Sequence, residues 1–222
     1  MGEAGVRMLE GLAEARDASG HIVVIDVLRA FTTAAYAFDA GIEEIELAAT
    51  PEEALARPGF RMGEVGGRLI PGFDHNNSPS QLAGKCLSGR AVLRTGAGAL
   101  CALAAAPRAS SLWLASLVVA AATVRAIRSL GDLTFVLSGY PDEGEEDRAC
   151  AVYMEALLRG EPPPRKEAAR AVRASRAAAK HRAGDADRPI EDLDCATAVD
   201  AFEFAMKVET QHGHLVARCY YG

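Results

Sequence analysis

The chain predicts an α/β fold, a mostly parallel sheet layered with helices, and three features carry that expectation. Short apolar runs rich in β-branched residues alternate with helix-forming segments from residue 21 to residue 159. Glycines stand at 41, 131 and 160, where helical patterns stop, as C-terminal caps do. The first apolar run, HIVVIDV at 21–27, has the length and composition of a buried strand.

Taken in order, strands are expected at 21–27, 43–48, 61–64, 90–95, 111–116 and 133–138. Helices are expected near 31–40, 51–56, 97–106, 119–130 and 146–159. After Gly160 the character changes. Three prolines at 162–164 precede KEAARAVRASRAAAKHRAGDADR, which favours helix yet offers few large apolar residues, so a solvated helix and linker is the expectation. The stretch IEDLDCATAVDAFEFAMKVE regains an amphipathic period and should pack back onto the body, and HLVARCYYG reads as a closing strand. The whole of 1–222 is read as one unit, divisible into joined subdomains of about 1–110 and 111–222.

Composition bounds the partners. At 222 residues, half hydrophobic and 24% charged, the chain can bury a substantial core. No apolar run reaches the roughly 18 residues that span a bilayer, and the N-terminal MGEAGVRMLEGLAEARDASG lacks a signal-peptide core. Five scattered cysteines without a CxxC pair fit reduced thiols, so a cytoplasmic location is expected. A formal charge of −6 argues against nucleic acid but leaves room for a small anionic substrate met by a local Arg cluster. No membrane partner is expected, and a homo-oligomer is left open.

Chemistry-bearing residues fall just after the expected strands, where α/β sheets gather ligands. Asp26 interrupts the first apolar run where periodicity calls for a hydrophobe, and burying an unpaired carboxylate costs several kcal/mol, on the order of the ion penalties known for interiors. Arg29, Thr32 and Thr33 follow at the mouth of a helix, a place for a metal and an anion; the same residues also fit a structural Asp–Arg pair with threonine caps. Glu64 ends the third strand and opens a long glycine-rich loop, GEVGGRLIPGFDHNNSP, in which Asn77 and Ser78 precede Pro79 as the start of a helix. Arg94, Thr95 and Gly98 in VLRTGAGAL have the shape of a phosphate-cradling turn, although neither a dinucleotide fingerprint nor a Walker A motif is completed. An acidic loop and helix start (Asp142, Glu143, Glu145, Glu146, Asp147) follow the last parallel strand. Carboxylates without a His/Cys set suit Mg2+ rather than zinc.

In this order VVIDVLRAFTTA, GEVGGRLIPGFDHNNSP, VLRTGAGAL, ASLVVAAATVRAI and EDRACAVYMEALL resemble the 2-phosphosulfolactate phosphatase family. The resemblance covers most of the chain and weakens over 160–190. It implies a Mg2+-dependent hydrolase that removes phosphate from a 2-phospho-3-sulfo acid, a step toward coenzyme M, on an α/β fold of two intimately joined subdomains. The family pattern falls on Asp26, Arg29, Thr32, Thr33, Glu64, Asp74, Asn77, Ser78, Thr95, Gly98, Glu146 and Asp147. Asp26 and Arg29 are the expected catalytic pair. Thr32, Thr33, Asn77, Ser78, Arg94, Thr95 and Gly98 are expected to bind substrate. Asp26, Glu64, Glu146 and Asp147 are expected to hold Mg2+. Ala97 and Val119 stand where many members carry Asn. Their loss of side-chain donors motivates a second reading, a non-catalytic phospho-ligand binding protein with a degenerate site.

Overall fold

A computed structural model describes residues 5–139, 141 and 143–222. Ten strands form one sheet in the order β1-β8-β2-β7-β9-β10-β3-β6-β4-β5. The strands are β1 (Val6–Glu10), β2 (Gly20–Ile25), β3 (Glu44–Leu47), β4 (Phe60–Val65), β5 (Arg68–Leu69), β6 (Arg90–Arg94), β7 (Ala109–Ala115), β8 (Leu133–Leu137), β9 (Ala205–Gln211) and β10 (His214–Tyr220). β1, β8, β2 and β7 pair in parallel, as do β3, β6 and β4. The antiparallel hairpin β9–β10 stitches these two parallel blocks together.

The central strand β2 shows why the sheet has helices on both faces. Ile22 and Val24 point into one apolar cluster with Phe31, Ala34 and Phe38 of α2 (Ala30–Asp39) and Cys101, Ala102 and Ala105 of α4 (Gly98–Ala105). Val23 and Ile25 point into a second cluster. There they meet Val124 and Ile127 of α5 (Ala120–Ile127) and Tyr153 and Met154 of α6 (Glu145–Leu158). All four strand residues are fully buried, which only a strand covered on both faces achieves.

Helices α2 and α4 are also the crossovers between the blocks: α2 leaves β2 for β3, and α4 leaves β6 for β7. The carboxyl ends of β2 and β6 thereby meet, although five strand-to-strand steps separate them in the sheet. With about 20–25° of twist per step, those five steps turn the strand direction through roughly 100–125°. The sheet thus wraps around its own crossover helices.

Several expectations need correction. A boundary near residue 110 does not divide the two blocks, because β1 and β2 pair with β7 and β8 from beyond it. The segment after Gly160 is not a solvated linker. It forms α7 (Arg165–Ala174) and α8 (Arg176–Arg182), broken at Ser175, whose hydroxyl accepts the Ala178 N–H at 3.1 Å to cap α8. Its small residues Ala168, Val172, Ala177 and Ala178 are buried, and close approach replaces bulk as the means of packing. Pro79 opens a hydrogen-bonded turn over 79–84, not a helix. The amphipathic C-terminal pattern divides into a short α9 (Glu191–Ala196) and the strand β9, where Met206 and Val208 alternate inward and pairing with β7 and β10 sets the conformation. β1 and the short helix α1 (Gly11–Ala15) after it have no counterpart in the expected elements, whereas α3 (Pro51–Leu55) forms where a helix is expected at 51–56. Among the described residues no helix is long and apolar enough to cross a membrane.

At Gly63 the β4 backbone lies close against Arg94 of β6. The glycine φ is +151°, and a Cβ there would run into the Arg94 carbonyl. Gly63→Ala is expected to lower the unfolding free energy by about 2–3 kcal/mol, read as a lower midpoint in urea titration.

Candidate active site

The strand ends, the loops after them and α8 enclose a cavity of about 420 Å³. Asp26 sits at its base, one residue past β2. The Ala30 N–H at the start of α2 donates to Asp26 Oδ1 at 2.8 Å. On its other side lies the start of α4, where a Cβ on Gly98 would come within 2.5 Å of Asp26 Oδ2. Only glycine lets the carboxylate rest against both helix N-termini, whose exposed N–H groups favour negative charge. The Ser138 side chain and the Gly98 backbone also favour the charged form of Asp26.

Two neighbouring acids are spent on the architecture. Asp147 Oδ1 accepts the Val27 N–H at 2.8 Å, while Oδ2 accepts the Gly139 N–H at 3.1 Å and the Ser138 hydroxyl at 3.3 Å. It therefore clasps the ends of β2 and β8 to the first turn of α6. Glu64, near the end of β4, accepts the Gly96 N–H at 2.7 Å and the Gly67 N–H, and so ties the turn before α4 to the β4–β5 hairpin.

Glu146 is different. It is buried and lines the cavity, and its Oε2 has no hydrogen-bond donor among the described residues. Burial, with the Asp26 charge adding to it, pushes its carboxyl up to about 7. Burial likewise raises Asp26 to about 6, and holds Asp147 well above the ordinary carboxylate range with the charges of Asp26 and Glu146 adding to it. Three acids are thus crowded where negative charge is disfavoured. No group of three or more His, Cys, Asp or Glu side chains among the described residues closes into a ready cage for an ion.

The buried arginine of the cavity is held from behind. Arg29 Nη1 donates to Asp192 Oδ2 at 2.8 Å and to the Asp187 carbonyl at 2.8 Å. Asp192, at the start of α9 and with no exposed surface, also accepts the hydroxyls of Ser78 at 2.7 Å and Ser80 at 2.6 Å. The cover comes from the segment expected to be a linker. Ala177, Lys180 and His181 of α8 face the strand ends across the cavity, joined by Arg188. Lys180 pairs with Glu143 at 2.5 Å, and the Arg188 Nη2 donates to the Gly66 carbonyl at 2.8 Å.

Asp26, Arg29, Glu64, Asn77, Thr95, Glu146 and Asp147 thus converge on one space. Other expected residues serve around it. The Thr32 hydroxyl donates to the Val27 carbonyl at 2.7 Å, and Thr33 is buried in α2. Ser78 holds Asp192, and Arg94 Nη1 donates to the Glu64 carbonyl at 2.7 Å, bracing the loop. Gly98 provides room for Asp26. Asp74 anchors the outer loop by accepting the Arg61 N–H at 2.8 Å. Ala97 lines the cavity, whereas Val119 lies in the apolar core and removes no donor from it. Asp142 lies outside the described residues. Asp192, His181, Lys180 and Arg188 had no signal in the sequence beyond an acidic helix start and a basic, Ala-rich run.

This architecture, an acid-lined cavity at the carboxyl ends of parallel strands with an arginine and helix N-termini facing it, suits a phosphoric monoester hydrolase. The chain belongs to the 2-phosphosulpholactate phosphatase family, whose model matches residues 8–209. A relative described as a probable 2-phosphosulfolactate phosphatase from Bacillus subtilis is 31% identical over 198 residues, 84% of this chain and 86% of its own. Proteins of the same description are 32% identical in Symbiobacterium thermophilum, over 68% of this chain and 69% of theirs, and 44% identical in Deinococcus radiodurans, over 46% and 45%.

Removing Asp192 leaves the Arg29 guanidinium buried without its counter-charge. Asp192→Ala is expected to cost about 3–5 kcal/mol of stability, measured by chemical denaturation, and more than Ser80→Ala costs.

Proposed function

We propose that the chain hydrolyses a small phosphorylated acid, 2-phosphosulfolactate or a phosphomonoester of similar size and charge, to the hydroxy acid and phosphate, with Mg2+ held by Asp26 and Glu146. The observation that carries this reading is the unpartnered Glu146 oxygen, buried beside Asp26 in the cavity that Arg29 and the 95–97 turn also line. Adjacent acids whose charged forms are both disfavoured suit a compensating divalent charge. Mg2+ needs only one or two carboxylates and completes its shell with water and substrate phosphate, so a closed cage of side chains is not required. Asn77, another cavity residue, has an Oδ1 without a donor among the described residues and adds a neutral oxygen to the set. In this reading Glu64 and Asp147 aim the ligands from behind, since their own oxygens accept N–H groups.

When bound, the ion would polarise a phosphoryl oxygen and acidify an attacking water. The protein supplies the remainder. Arg29, fixed by Asp192, neutralises charge that builds on the equatorial oxygens, and the positive ends of α2 and α4 add their field. Their rigidity matters, because donors that need no reorganisation lower the barrier most. Helix α8 keeps bulk water away from the reacting phosphoryl group.

With Mg2+ present, Asp26→Asn is expected to reduce phosphate release from 2-phosphosulfolactate and 2-phospholactate by about 10³-fold or more while the thermal midpoint is kept. An active Asp26→Asn enzyme removes that residue from the chemistry. A second expectation follows from the raised carboxyls. An acid whose folded pKa is raised binds more protons folded than unfolded, so its contribution to stability falls as pH rises from the ordinary value to the raised one. For Asp26 that window ends at about 6 and for Glu146 at about 7. Mg2+ is therefore expected to raise the thermal midpoint more at about pH 8 than at about pH 5.5, and Glu146→Gln to flatten that difference, as followed by scanning fluorimetry.

A further inference from the structure

His181 is a buried titratable side chain that lines the cavity and has no part in the proposal above. Its Nδ1 stands 2.9 Å from the Pro189 carbonyl oxygen. A carbonyl only accepts, so Nδ1 carries the proton and the neutral ring leaves Nε2 bare. Nε2 is not among the buried side-chain atoms without a partner, and no protein group bonds it among the described residues. The ring lines the cavity with 3% of its side-chain surface exposed.

The ring's surroundings suit transient positive charge. Asp192 Oδ2 lies 3.9 Å from Nδ1, close enough to stabilise an imidazolium and to fix the ring's orientation. Asp192 thus backs both Arg29 and His181 on the cavity wall. The charges facing the ring from neighbouring elements are Asp192 of α9, Arg29 before α2, and Arg188 from the loop after α8. Burial holds the imidazole below its usual pKa, with Arg29 and Arg188 acting in the same direction and Asp192 against them. The imidazolium, once formed, is accordingly a better proton donor than free histidine.

Position decides which oxygen it serves. The phosphoryl group is drawn to the floor, where Asp26, Glu146, Arg29 and the helix N-termini gather. In that arrangement the organic part of the substrate would point toward α8, leaving the bridging ester oxygen between floor and cover.

We infer that His181 is the general acid, a catalytic residue whose Nε2 takes up a proton from solvent and donates it to the ester oxygen as the P–O bond breaks. This rests on the phosphatase reading above. Water forms the new P–O bond with its own electron pair, and the electrons of the breaking bond go to the alkoxide, which takes the Nε2 proton. The proton lost by water returns to Nε2, so the sum is ester plus water giving hydroxy acid plus phosphate.

The test compares leaving groups. An alkyl phosphate such as 2-phospholactate needs protonation of a poor leaving oxygen; p-nitrophenyl phosphate does not. His181→Asn keeps an N–H for the Pro189 carbonyl and has no proton to transfer. With Mg2+, it is expected to lose about 10²-fold or more on the alkyl ester and at least about tenfold less than that on the aryl ester. His181→Ala is expected to regain alkyl-ester turnover when free imidazole is added, and serves if the Asn variant does not fold. Equal losses on both esters from wild-type enzyme that turns over both, or no rescue by imidazole, overturn the role of His181 and leave the phosphatase reading standing. A wild-type chain that releases phosphate from neither ester overturns both.

Discussion

Three carboxyl groups from two distant parts of the chain, Asp26 and the adjacent Glu146 and Asp147, are buried around one cavity, and this gathering of like charge governs the molecule. Proteins rarely keep such an arrangement, because each acid disfavours ionisation of the next and burial penalises all of them. Here the cost is partly offset by backbone N–H groups, two on Asp147 and one at the start of α2 on Asp26. The one buried arginine that faces them is already matched by Asp192. What is left over is negative charge concentrated on Asp26 and Glu146. A divalent cation and a phosphate ester together would answer that imbalance.

The sheet exists to enforce this meeting. β2 and β6 belong to parallel blocks that are neighbours only through β7, the β9–β10 hairpin and β3. Twist accumulated across these strands brings the two carboxyl edges face to face, and α2 and α4 fill the space between them. The residues that appear catalytic by motif divide into those that face the cavity and those that hold the facing ones. Glu64, Asp147, Ser78 and Arg94 are braces whose polar atoms go to backbone groups or to Asp192. Such braces matter to catalysis because donors held 1 Å out of place forfeit much of their effect.

Much of the fold is legible in the sequence. The parallel strands at 21–27, 43–48, 61–64, 90–95, 111–116 and 133–138 each lie within two residues of where they form, because continuous apolar runs between glycine stops leave few alternatives. The helices beginning near residues 31, 97 and 146 follow for the same reason. The cover was not legible. In 165–188 packing depends on alanine, whose small side chain carries no strong periodic signal, so α7 and α8 look solvated although their inner faces are buried. The 190–209 stretch is different: its amphipathic period does pack onto the body, but strand neighbours on both sides claim Ala205–Gln211. In the site, acids at strand ends stand out because they break apolar runs. Asp192 and His181 break nothing, and only the folded chain brings them to the cavity.

Anomalous diffraction from crystals grown with Mn2+ in place of Mg2+ and with inorganic phosphate addresses the central claim most directly. A single strong peak ligated by Asp26 and Glu146, with phosphate between it and Arg29, is the expected result. A cavity without a bound ion while Glu146 stays protonated at pH 8, or an ion bound at some other place, would contradict the account.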